Sequence, residues 1–215
     1  MINKILIISC STILFSCNEN TRKKNIVLPK NKENTENSNI KNNLPYSSEQ
    51  VKKIYRYDKE TSEYSININE KDLLEFNQNE VGLPIKENDF DINPKANTKY
   101  FNIETFNFPN KAYCKLITYN TYGENDINIV NIQLNSYKND KLIDQLLLDC
   151  RFTFEIEYYR TFVINKDKTI KLTKYSVNNI EINENGDIIG KKTKPEITET
   201  VLNYKIDNNG KFIKL

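Results

Sequence analysis

The stretch LLLDCRFTFEIEYYRTFVI, residues 146–164, decides the fold. Its even positions carry Leu146, Leu148, Cys150, Phe152, Phe154, Ile156 and Tyr158. The odd positions between them carry Leu147, Asp149, Arg151, Thr153, Glu155, Glu157 and Tyr159. A strand sends successive side chains to opposite faces, so the pattern predicts one long strand with a buried face and a wet face. A helix would smear both sets around its axis. One-sided burial suits antiparallel sheets. The expected fold is therefore mainly β: an antiparallel curved sheet, half-barrel or sandwich, with one short helix.

Working outward, Asn165-Lys166-Asp167-Lys168-Thr169 reads as a hairpin loop. Pairing Ile164 with Ile170 then sets Phe162 opposite Leu172 and Arg160 opposite Lys174. Upstream, residues 142–148 read as strand, although IDQLLL would also tolerate one helical turn, and a bulge or bend near Asp149 would let them run into the organising strand. Residues 113–119 and 127–137 are strands on either side of a turn at 122–126. Asn185-Gly186-Asp187 is a tight turn, and residues 189–196, with three lysines and Pro195, read as a loop. Asn208-Asn209-Gly210 closes a last hairpin between residues 200–206 and 211–215.

Nearer the start, residues 51–69 read as a hairpin around Asp58-Lys59-Glu60-Thr61. A helix is predicted after it, capped by Asn69, with Leu73, Leu74, Phe76 and Val81 on one side and Gly82 and Pro84 ending it. A short strand is expected over residues 100–106. Its aromatic side chains either line a groove or cover an end of the core.

The first residues read MINKILIISCSTILFSC. Lys4 precedes an apolar run from Ile5 to Phe15, too short for a permanent span, which needs about 20 residues. Leu14-Phe15-Ser16-Cys17 resembles the lipobox of bacterial lipoproteins, with Cys17 as the first mature residue. That resemblance implies acylation of Cys17, cleavage after Ser16 and anchoring by more than one acyl chain, which holds far more firmly than a single chain. Asn18 in place of Asp implies the outer membrane as destination. Cys10 has too little apolar sequence before it to serve. The expected organisation is a signal peptide over 1–16, a lipidated N-terminus and tether over 17–45, and one β-rich domain over 46–215. The tether is too polar to bury a core.

The chain has 31 basic and 29 acidic residues, a net charge of +2, which gives no reason to expect nucleic acid as a partner. It has no histidine. That removes Ser-His-Asp and Cys-His machinery and the commonest zinc ligand. No cofactor or metal is expected, and no Asp sits in a calcium-loop pattern. Cys114 and Cys150 remain after processing. They form either a disulfide closing about 36 residues, if their strands are neighbours, or two buried free thiols.

Arg151, Glu155, Glu157 and Tyr159 form a candidate binding face on the wet side of the strand. Glu155 and Glu157 would lie roughly 7 Å apart, near the spacing of an inverting glycosidase. The plainer reading is a solvated sheet face. The expectation is a non-enzymatic, lipid-anchored envelope protein that binds a protein or glycan partner. An inhibitor or immunity protein against a lytic enzyme or toxin is the alternative, and a carboxylate hydrolase comes third. Beyond the lipobox the layout is similar to other envelope lipoproteins, a likeness that supplies no functional residue.

Overall fold

The computed structural model describes residues 42–215, which lie within one compact unit. The lipobox, Cys10, Cys17 and most of the expected tether lie outside the described residues. Packing begins earlier than the sequence suggested. Asn42 exchanges hydrogen bonds with the backbone of Asn107 (2.6 and 2.8 Å), and Leu44 is buried in the core, so residues 42–45 belong to the domain.

Thirteen strands follow in order among the described residues: β1 (Tyr46–Ser47), β2 (Tyr55–Asp58), β3 (Glu63–Ile66), β4 (Leu74–Glu75), β5 (Ile85–Lys86), β6 (Lys99–Phe108), β7 (Ala112–Tyr122), β8 (Asn128–Lys138), β9 (Lys141–Thr153), β10 (Ile156–Ile164), β11 (Thr169–Ile182), β12 (Ile188–Ile206) and β13 (Phe212–Lys214). The main sheet runs β13-β12-β11-β10-β9-β8-β7-β6-β4. β1 pairs with β10, and β5 adds to β9 as a parallel strand. β2 and β3 form a separate hairpin. The fold is mainly antiparallel β.

The largest core cluster draws Phe106, Leu116, Leu134, Leu146 and Leu148 from β6–β9, and Phe162, Ile170, Leu172, Tyr204 and Phe212 from β10–β13. Both halves of the sheet therefore close over one interior, as a strongly curved sheet must. The predicted pairs Ile164↔Ile170, Phe162↔Leu172 and Arg160↔Lys174 are all present. So is the bulge: Ile132 opposes Asp149 and Gln133 opposes Leu147, leaving Leu148 as the extra residue. Gly210 sits at the final turn with φ of +85°, where a Cβ would lie 2.6 Å from Ser136 Oγ. Only glycine meets both demands.

Three further expectations are corrected. The stretch 146–164 is not one strand but two, β9 and β10, turning at Phe154-Glu155. Thr153 faces Glu157 and Phe152 faces Tyr158, so even positions meet even positions across the turn and the alternation reads through it unbroken. The bulge at Leu148 also divides the apolar set. Leu146 and Leu148 lie in the main core, whereas Cys150 and Phe152 join Ile129 and Leu147 in another cluster. Phe154, at the tip, is 52% exposed.

The helix is also elsewhere. α1 (Ser48–Val51) runs into a 3-10 turn at Lys52–Ile54, with the Gln50 side chain accepting from the Ser47 N–H at 2.9 Å. Asn69 does cap, accepting from Lys71 N–H at 3.1 Å, but it caps only a 3-10 turn. Leu74 then extends as β4 against β6, and Phe76 packs between Tyr100 and Tyr119. Lastly, residues 189–196 are strand, part of β12, rather than loop. The ladder with β11 slips there, from Asn178↔Glu196 to Ile180↔Lys191, which accommodates Pro195.

Candidate functional site

The predicted face is built around Arg151, on the side of β9 that carries Asp149. The bulge puts both residues beneath the β2–β3 hairpin. Arg151 donates to Asp149 Oδ2 from Nε (3.2 Å) and Nη2 (3.0 Å), and Asp149 Oδ1 accepts the Arg160 backbone N–H at 2.7 Å. Burial pushes the Asp149 carboxyl up, and Arg151 and the Arg160 N–H oppose that rise. The Arg151 guanidinium lies 4.7 Å from the Tyr55 ring centre, 5.4 Å from Tyr64 and 5.2 Å from Tyr159. Tyr64 donates its hydroxyl to Glu157 at 2.8 Å. Burial, then the Glu157 carboxylate, raise the Tyr64 pKa.

Arg151, Glu157 and Tyr159 are therefore together, but Tyr55 and Tyr64 occupy the space above them. This cluster fastens the β2–β3 hairpin to the sheet by cation–π contact and charge-assisted hydrogen bonding. Glu155 is not part of it. It stands at the β9–β10 tip, beside a different surface.

That surface is a cleft of about 340 Å³. Phe152, Phe154, Glu155, Ile156 and Tyr158 come from the tip, and Ile127 and Ile129 from the approach to β8. Phe90 and Ile92 close the remaining side. Phe152 and Tyr158 stack at 5.0 Å, and the Phe90 ring meets both edge-on at 5.0 and 5.1 Å. Glu124 and Glu155 also line the cleft. Neither enters an ion pair among the described residues. Gly123 contributes by absence: a Cβ there would come within 3.1 Å of Ile129 Cδ1 and crowd the floor.

Phe90 is held by a strap, residues 85–92, that crosses the sheet on charged contacts. Lys86 pairs with Asp144 and donates to the Phe212 carbonyl at 2.6 Å. Glu87 pairs with Lys174 (2.6 Å) and Lys214 (3.2 Å) and accepts the Tyr204 hydroxyl. Asp89 meets Arg160 (3.1 Å) and Lys174 (2.6 Å). Burial alone would raise the Glu87 carboxyl, but Lys174, Tyr204 and Lys214 outweigh it and hold the pKa down to about 2.

Chemically, the cleft offers an aromatic interior beside two free carboxylates. It suits an apolar group flanked by a positive charge. Glu155 and Glu157 do not share a cleft, because Glu157 is engaged by Tyr64 on the hairpin side. Cys114 and Cys150 are free and buried, in separate core clusters. Burial pushes both thiols up to about 12. Among the described residues no group of three or more Cys, Asp or Glu converges on a metal position, and no helix is long and apolar enough to cross a membrane.

Phe90, Ile92 and Glu124 escaped the sequence reading. Phe90 lies in an irregular stretch between Asp89 and Asp91, and a lone aromatic between two acids was the only available sign of it. No family model, curated protein or solved structure matches this chain.

Proposed function

We propose that this chain is a lipid-anchored binding protein of the bacterial envelope, whose domain grips a protein partner at the Phe90–Phe152–Tyr158 cleft. The observation that carries this reading is the exposed Phe154 beside a preformed aromatic cleft edged by two carboxylates without ion-pair partners. Large exposed apolar groups around a concavity mark interaction sites. The acids favour a partner segment that places Lys or Arg beside an apolar side chain. The lipobox supports the address, and the acylated Cys17 would present the domain at the bilayer.

A photocrosslinking residue at position 154, in full-length protein in intact envelopes, tests the reading. One protein crosslinked from position 154, but not from the exposed position 182 on β11, is the expected result. Equal labelling from both positions, or none, would refute it. Inhibition of a lytic enzyme or toxin is the second reading, favoured by the exposed Phe154-Glu155 tip, whose shape suits insertion into another protein's groove. Identification of the crosslinked protein as such an enzyme, with its activity suppressed, would establish it.

A further inference from the structure

A second surface, separate from the cleft, lies along the outer edge of β12. β13 pairs only with Tyr204, Lys205 and Ile206, and the Leu215 N–H takes the Asn203 carbonyl at 2.9 Å. Among the described residues nothing pairs with the outer side of Glu196–Leu202. Its inner side, by contrast, holds an unbroken ladder with β11, from Asn178↔Glu196 to Leu172↔Leu202.

The direction of each backbone group follows from two hydrogen bonds. The Ile206 N–H donates inward to Lys168 O, and the Asn203 carbonyl accepts from outside. In an antiparallel ladder these directions alternate residue by residue. Thr198, Thr200 and Leu202 therefore bond β11, while Ile197, Glu199 and Val201 aim both N–H and C=O outward with no strand to receive them. Edge strands are commonly protected by Lys, Pro and bulges. β12 has all three at one end only: Lys191, Lys192, Lys194, Pro195 and the ladder slip. Glu196–Leu202 has none of them.

We infer that this open edge receives an extended segment of a partner protein as an added β-strand, with a Lys or Arg opposite Glu199 and apolar residues two positions to either side. Ile197 and Val201 share a face with Glu199 and are 60% and 45% exposed. Glu199 has no ion-pair partner among the described residues, and on that face it lies across from Tyr175, which stacks on Tyr159 at 4.9 Å. The edge thus presents apolar, acidic, apolar in alternation. A second copy fits poorly: the antiparallel register that bonds all three outward residues sets Glu199 against Glu199. Like charges directly opposed in a ladder are destabilising. Backbone bonds would supply the attachment and side-chain complementarity the choice of partner.

The probe is a blocked peptide, Thr-Val-Thr-Lys-Thr-Val-Thr, titrated to millimolar concentration against the full-length chain, with Glu in place of Lys as control. The expected result is saturable binding, at least tenfold weaker for the Glu peptide, with amide exchange slowed at Ile197, Glu199 and Val201. Glu199→Lys should reverse the peptide preference. Val201→Pro removes an outward N–H and the Val201 side chain but breaks no bond to β11, so it should abolish binding while the chain still unfolds cooperatively in urea. Binding that survives Val201→Pro, or no protection of the three amides at the highest peptide concentration, overturns the inference. A concentration-dependent dimer mass without peptide, lost in Val201→Pro, overturns it in favour of self-pairing.

Discussion

Replacing Glu87 with Gln removes the charge at the centre of the strap without changing its size. The Glu87 side chain is 11% exposed, and Lys174, Lys214 and Tyr204 surround it. They hold its pKa at about 2, against 4.5 ordinarily. A carboxyl depressed in the folded state adds stability that is present above its unfolded pKa and lost as pH falls through the folded one. This displacement corresponds to about 3 kcal/mol, complete above about pH 5 and gone near pH 2. Glu87→Gln should therefore lose up to about 3 kcal/mol at pH 7, and progressively less toward pH 3. Urea unfolding of both full-length proteins, followed by circular dichroism at pH 7, 5 and 3, measures the difference. Two stability curves that stay parallel across that range would refute the strap's electrostatics, as would equal midpoints at pH 7.

The division of the apolar set gives a second test. Phe152→Ala should cost about 3–5 kcal/mol and Phe154→Ala under about 1 kcal/mol in the same assay; comparable losses would restore one continuous buried face. The thiols give a third. Burial and pKa values pushed up to about 12 should keep Cys114 and Cys150 unmodified by a thiol reagent at pH 8, and both should react fully in urea. Modification sites mapped by mass spectrometry decide it, and rapid labelling of either cysteine in the folded protein contradicts the packing.

Strand pairing was legible where apolar residues face each other over short loops. Ile164↔Ile170 and Phe162↔Leu172 follow from alternation on both sides of Asn165–Thr169, and the Leu148 bulge was announced by the apolar run abutting Asp149. The turn at Phe154-Glu155 was illegible, because it carries no Gly, Pro, Asn or Asp and preserves the face of every residue beyond it. The helix was misplaced for a related reason. Asn69 and Leu73-Leu74 imitate a helix start, while the real signal, Ser47 with Gln50 three residues on, occupies a single turn. Alternation alone sets Arg151, Glu157 and Tyr159 on one face, yet it also puts Glu155 there, and the cover by Tyr55 and Tyr64 is a tertiary event. The cleft was hidden for the same cause. Its Phe90 wall depends on Glu87 meeting Lys214 and Asp89 meeting Arg160, pairs far apart in sequence that no local pattern joins.

Those same pairs impose an order on assembly. Lys86 and Glu87 are fastened by Asp144, Lys174, Tyr204, the Phe212 carbonyl and Lys214, so the strap acquires its full set of anchors only after β13 has added to the sheet. Contacts that close such long loops form late. A chain emerging N-terminus first would carry most of its sheet and the Asp89 pairs with Arg160 and Lys174 while still lacking the Lys214 and Phe212 anchors of the strap. The strap is thus completed by the final strand, and proteolytic loss of Phe212–Lys214 would remove the Lys214 and Phe212 anchors together with one buried ring of the main core, loosening the approach to Phe90 from a distance.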